Sequence, residues 1–206
     1  PDVSGGRGLS QIPDFVASIR RLSSDQRLHY KVAAIIRRIE ARWDQDDNQT
    51  EDTYGWGLMV SGTYKLRLWN ERDKIQGQLT YGEGHGRYVN ELGTLGSNSD
   101  EGGFDAIFSP DGELNAIAVF AGYLSLQHWW VRAHRSNFII SYVRVDNFDF
   151  EPGDAYHQTY RATGNYIWSP TARIDLGGEL LWGRRVDKNG SNGDAWQAQL
   201  SAVYRF

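Results

Sequence analysis

Cysteine is absent from all 206 residues, so no disulfide and no thiolate-held metal organises the fold. An envelope protein that avoids oxidative cross-linking has this composition, and so does a chain drawn from a cysteine-poor proteome. Long apolar runs are missing as well. The longest nearly unbroken one, from Ala116 to Leu126, is too short to cross a bilayer as a helix. A mean hydropathy of −0.57 excludes a bundle of membrane helices. No charged stretch followed by an apolar one stands at the N-terminus, so the expectation is either a removed signal peptide or a start part-way through a gene. No clustered histidine set supports zinc, no cofactor is expected, and a net charge of −4 gives no footprint for nucleic acid.

What the chain does have is glycine (23 residues), aromatics (13%) and strict alternation. Side chains of a strand point to opposite faces with period 2, so alternation is direct evidence of a two-faced strand. From Tyr54 to Leu68 the even positions are apolar or glycine, whereas the odd ones include Ser61, Thr63, Lys65 and Arg67. The same pattern runs through Ile75 to Tyr81, Tyr156 to Trp168, Ile174 to Trp182 and Ala195 to Phe206. About nine strands are predicted, near 12–22, 28–43, 53–68, 73–84, 116–130, 136–148, 155–168, 172–186 and 194–206. Between 136 and 148 two apolar sets compete for one face, Phe138, Ile140 and Tyr142 against Ile139, Val143 and Val145.

The connections alternate in length. Short ones at 23–26, 70–73, 132–135 and 169–171 separate longer polar ones around 44–52, 85–115, 149–154 and 187–193. A transmembrane barrel needs only half of each strand to be apolar, and it keeps short turns on one side and long loops on the other. A soluble sandwich has no reason to place its long loops at every second connection. All eight tryptophans fall near strand ends, the arrangement of two interfacial belts, although Trp43 and Trp69 break the outward parity of their strands. The terminal strand ending on Phe206 resembles the closing strand of bacterial outer-membrane β-barrels. The fold class expected is therefore all-β, a transmembrane antiparallel barrel forming one domain over 1–206, with its C-terminus in the periplasm. Nine strands that begin outside and end in the periplasm cannot close an even-stranded barrel. Either the first segment is not a wall strand or the chain is the C-terminal part of a larger barrel.

Several blocks carry a more specific likeness. Pro13-Asp14-Phe15-Val16-Ala17, Tyr81-Gly82-Glu83-Gly84-His85-Gly86-Arg87-Tyr88, Gln127-His128-Trp129-Trp130 and the run from Leu176 to Arg185, with Lys188-Asn189-Gly190 and Gly193-Asp194 after them, resemble in order the C-terminal half of DcaP-type porins. The resemblance implies about the last nine strands of a sixteen-stranded homotrimeric channel linked to uptake of dicarboxylates and other small anions.

The residues give their own reading of selectivity. The polar parity holds Arg20, Lys31, Arg37, Lys65, Arg67, Lys74, Arg161, Arg173, Arg185 and Arg205 against Asp14, Asp175 and Glu179. Acidic residues gather in the long connections, at Asp44, Asp46, Asp47, Glu51 and Asp52 and at Asp100, Glu101, Asp105, Asp111 and Glu113. Rings of arginine and lysine lower the cost of anion entry into a confined pore and fork onto carboxylates. The expected partners are outer-membrane lipids, lipopolysaccharide and small anionic solutes. The alternative is a small plugged barrel with an adhesin, structural or lipid-contacting role. His134-Arg135-Ser136 has the spacing of an outer-membrane phospholipase, but it falls in a short turn and reads as a turn histidine; no enzyme activity is expected. Gly82-Glu83-Gly84-His85-Gly86 looks like a phosphate loop, yet no helix-forming run follows, so it reads as the bend from a strand into a long loop.

Overall fold

The computed structural model describes residues 2–66, 72–93 and 104–206. Its strands are β1 (Val3–Ser4), β2 (Gly6–Leu9), β3 (Phe15–Leu22), β4 (Leu28–Trp43), β5 (Asp46–Lys65), β6 (Lys74–Glu83), β7 (Ala106–Phe108), β8 (Leu114–Ala116), β9 (Ala118–Val131), β10 (His134–Asp146), β11 (Tyr156–Thr171), β12 (Ile174–Asp187) and β13 (Asn192–Tyr204). A 3₁₀ turn at Gly86–Tyr88 and a short helix, α1 (Asn90–Gly93), lie between β6 and β7.

The main sheet is antiparallel throughout and meanders in chain order from β13 back to β4. Both β2 and β3 pair with β4, one along Glu40 to Trp43 and the other along His29 to Ile36, so they lie end to end in one position. That makes nine strand positions, at the places the alternation predicts. The two outermost positions run in the same direction, because each neighbour reverses the last.

The faces are chemically opposite. On the outward face the even residues of 28–36, 56–64, 160–168, 174–182 and 196–204 are almost all apolar or glycine, and many are exposed, Ile36 at 63% and Val60 at 54% among them. Each run is nine residues, about 27 Å of strand, or roughly 20 Å of height at the tilt barrels adopt. That approaches the ~25 Å apolar band of outer-membrane barrels. Past one end of the band the same parity turns charged. Arg38 forks onto Asp52 (3.0 and 3.0 Å), Arg184 forks onto Asp194 (2.9 and 2.9 Å) and Arg144 pairs with Asp146 at 3.0 Å.

Pairing settles the strand whose face the sequence left open. Phe138 sits opposite Leu126 and Gly164, and Ile140 opposite Leu124, so the even set of β10 faces outward. Val143 and Val145 face inward, buried in a cluster with Val119 and Ala121. The expected long connection at 44–52 is instead mostly strand. Residues 46–52 continue β5 against 40–43, with Glu40 opposite Asp52, and only 44–45 turn.

The larger departure is the segment after β6. Sequence reasoning placed 85–115 in a polar outer loop, but its described part folds over the inner face. Gly84, at φ +66°, makes the bend, and a Cβ there would stand 2.6 Å from Ile39 Cδ1. Val89, Leu92, Ile107 and Ile117 then pack against Val119, Val143, Val145 and Tyr156. The β7–β8 hairpin adds to β1, which runs parallel to β7, and buries Phe108 and Leu114 against Ile39 and Ala41. Apolar residues spaced irregularly within a polar stretch supply that core, which is why periodicity did not show it.

Candidate functional site

The inner face is built by the odd positions of β4, β5, β9, β10, β11, β12 and β13 and the even ones of β3 and β6. At the end served by the long connections it is covered by the inward-folded segment, and the fastening there is ionic. Arg37 is 2% exposed. Its Nη1 lies 2.8 Å from Asp105 and donates to the carbonyl of Gly84 at 3.0 Å, while Nε lies 3.3 Å from Asp14. Tyr88 stacks over its guanidinium at 5.6 Å and donates its hydroxyl to Asp14. Asp105 also accepts from the backbone N–H groups of Arg87 (3.0 Å) and Asp2 (3.2 Å). Burial pushes the Asp105 carboxyl above its ordinary value, and the Arg37 charge pulls against that.

His85 packs beside this latch, 2% exposed, with Nδ1 unpartnered among the described residues. Burial, with the Arg37 charge adding to it, pushes its pKa down to about 4. A histidine depressed in the folded state contributes stability above its unfolded pKa near 6.5 and loses it as pH falls towards the folded value. Lowering the pH from 7 to 5 is therefore expected to cost about 2 kcal/mol through this group. Urea unfolding at the two pH values checks it, and a His85→Gln variant should lose that increment of acid sensitivity.

Charge on the rest of the inner face is uneven. At the end served by the short turns, Arg20 stands directly opposite Lys31 in the β3–β4 pair, and Lys65 opposite Lys74 in the β5–β6 pair. Like charges opposed across strands are unfavourable in a purely structural wall. Arg173 lies in the turn before β12, and Arg205 follows β13. Arg205 and Arg135 both pair with Oδ2 of Asp175, at 2.5 and 3.0 Å. Arg161 lies mid-strand on the inner parity of β11. Arg185 pairs with Asp187 at 2.7 Å, towards the long-connection end. Of the ten bases singled out from sequence, Arg37 is thus fully engaged in the latch, Arg185 and Arg205 carry partial partners, and Arg67 lies outside the described residues.

Comparison with known proteins adds one decisive likeness. No family model matches the chain, and no curated protein does. Among solved structures it superimposes on the outer membrane channel DcaP of Acinetobacter baumannii with a TM-score of 0.78 at 20% identity, over 98% of this chain and 54% of that one. The chain has the fold of an outer-membrane channel. It spans about half the length of the channel it matches. In that frame the tryptophans sort themselves. Trp56, Trp168, Trp182 and Trp196 sit on the outward parity at the two ends of the apolar band. Trp43 turns inward and stacks on Phe108 at 6.2 Å, and Trp129 also turns inward, among arginines; Trp69 is outside the described residues. Arg72, Arg132 and Arg135 were missed because alternation assigns faces only within strands, and the first two sit in turns. His134 bonds Tyr166 at 2.6 Å, whereas Ser136 accepts from Trp130 Nε1 at 2.9 Å, so that pair is not assembled as nucleophile and base.

Proposed function

We propose that the chain is the wall of an outer-membrane porin that passes small anionic solutes, dicarboxylates among them, by passive diffusion. The observation that carries the reading is the division of one sheet into an apolar band on its outer face and an inner face whose unbalanced charge is positive. Lipid covers the first, and water with solute fills the second. The charged outward residues beyond the band then meet the lipopolysaccharide headgroups, the long connections lie outside, and the C-terminus lies at the periplasmic rim. Joining the two edges of the sheet directly would create a parallel pair; an odd number of further strands restores alternation, and seven of them complete a sixteen-stranded barrel. That count and a homotrimeric assembly follow the likeness in sequence blocks, and residues 1–206 form one barrel unit. Catalysis has no part in this reading.

Bilayer recordings test it. In a salt gradient the protein is expected to conduct with a reversal potential favouring chloride over potassium. Neutralising Lys65 and Lys74 together by glutamine should move that potential towards zero. Absence of conductance overturns the channel, and a potassium-favouring reversal overturns anion preference.

A further inference from the structure

The short-turn end of the inner face encloses a pocket of about 710 Å³, distinct from the opposed lysines and arginines of β3 to β6. Trp129 forms its apolar wall, with the Arg72 guanidinium 3.3 Å from the ring centroid and that of Arg135 at 5.1 Å. Arg205 closes the side towards β13, and Arg132 lies at the rim. Among the described residues Asp175 is the single acid lining it, and it is well engaged: Oδ2 takes Arg135 and Arg205, and Oδ1 accepts the Ser169 hydroxyl at 2.5 Å. Four guanidinium groups thus converge on one cavity, and Asp175 engages two of them, Arg135 and Arg205.

We propose that this pocket binds a small oxyanion, holding it between Arg132 and Arg205 against the Trp129 indole. Arg132 is exposed and makes no ion pair among the described residues, and the Arg205 side chain keeps about half its surface in solvent despite its bond to Asp175. An arginine presents five N–H donors in a planar fork, so engaging Asp175 leaves others free to receive a carboxylate or phosphate. Asp175 and Ser169 already fix Arg135 and Arg205, which removes much of the ordering cost that loose arginines incur on binding. The stacked Trp129 lowers the exposure of the cations on one side, strengthening their attraction for an incoming anion. The location, at the periplasmic mouth, rests on the porin reading; binding itself does not. In that setting the pocket is a terminal station that an anion occupies before release.

Calorimetric titration of the detergent-solubilised protein with inorganic phosphate and, separately, with acetate tests the site. Arg132→Ala/Arg205→Ala is expected to weaken binding about tenfold or more, since each removes a charged hydrogen-bond donor. Arg132→Lys/Arg205→Lys, which keeps charge and loses the fork, should fall between. Arg144→Gln, on the outward face, should bind as the parent does. Binding of both anions or of either one supports the site, and the preferred one names the group it takes. Unchanged affinity in the double alanine variant overturns it, as does no binding by the parent. Conductance of the same samples separates the two readings. An anion-selective channel whose pocket variant binds like the parent sinks the pocket alone, while pocket-dependent binding without conductance sinks the porin alone.

Discussion

Arg37→Met is expected to destabilise the protein by about 3–5 kcal/mol and to raise its single-channel conductance. The stability loss follows from what is left behind. Asp105 is fully buried and Asp14 partly so, and removing the shared cation strands the first carboxylate with two backbone donors and leaves the second with a tyrosine hydroxyl. The least costly escape is for the segment carrying Asp105 to lift away from the inner face into water. Its apolar contacts with Val119, Val143 and Val145, and those of Phe108 and Leu114 with Ile39 and Ala41, oppose that, against the cost of a buried carboxylate left without its cation. On the proposed porin reading, lifting it clears the end of the inner face that it covers, hence the larger current. Two companions make the result interpretable. Arg37→Met/Asp105→Leu removes charge from both sides and is expected to recover most of the stability, because a buried pair replaced by apolar groups is far less costly than a broken one. Asp105→Asn keeps the shape and should show the conductance change with a smaller stability loss. A destabilised Arg37→Met with unchanged conductance would show that the segment does not bound the conducting path.

The wall was legible in the sequence because a barrel strand writes its two faces at the shortest possible period. Tyr54, Trp56, Leu58 and Val60 declare the outward face without reference to any other strand, and nine such runs predict nine positions. Only β10 was ambiguous. There Val143 and Val145 are apolar for a different reason, since they seat the inward segment rather than face lipid. That segment itself was not legible. Val89, Leu92, Ile107 and Ile117 stand in no helical or strand period, and their common destination exists only once β9 and β10 are side by side. The candidate site was half legible for the same reason. Parity identifies Arg20, Lys31, Lys65 and Lys74 as inner residues, and pairing then places them opposite one another. It gives no account of Arg37 as a structural latch, whose partner Asp105 is 68 positions away and reads as a loop acid.

Val60→Arg is expected to cost about 2–4 kcal/mol when unfolding is measured from lipid bilayers, and Ser61→Arg less than about 0.5 kcal/mol. The two residues are adjacent on β5, so strand propensity, edge effects and distance from either rim are matched, and only the face differs. Val60 is the midpoint of the nine-residue band and faces outward; a charge there must leave water or deform the bilayer to keep it. Ser61 faces inward, where other arginines and lysines already stand, and one more is hydrated. A water-surrounded sheet predicts otherwise. Val60 is 54% exposed, and arginine at a half-exposed surface site of a soluble protein changes stability by no more than about 0.5 kcal/mol. Equal effects at 60 and 61 would therefore remove the membrane from this fold, whatever its resemblance to a channel. A loss confined to 60 that fades when the arginine is moved to Trp56 would instead measure the depth profile of the bilayer itself, since charge on a lipid face costs most at the midplane and little near the interface.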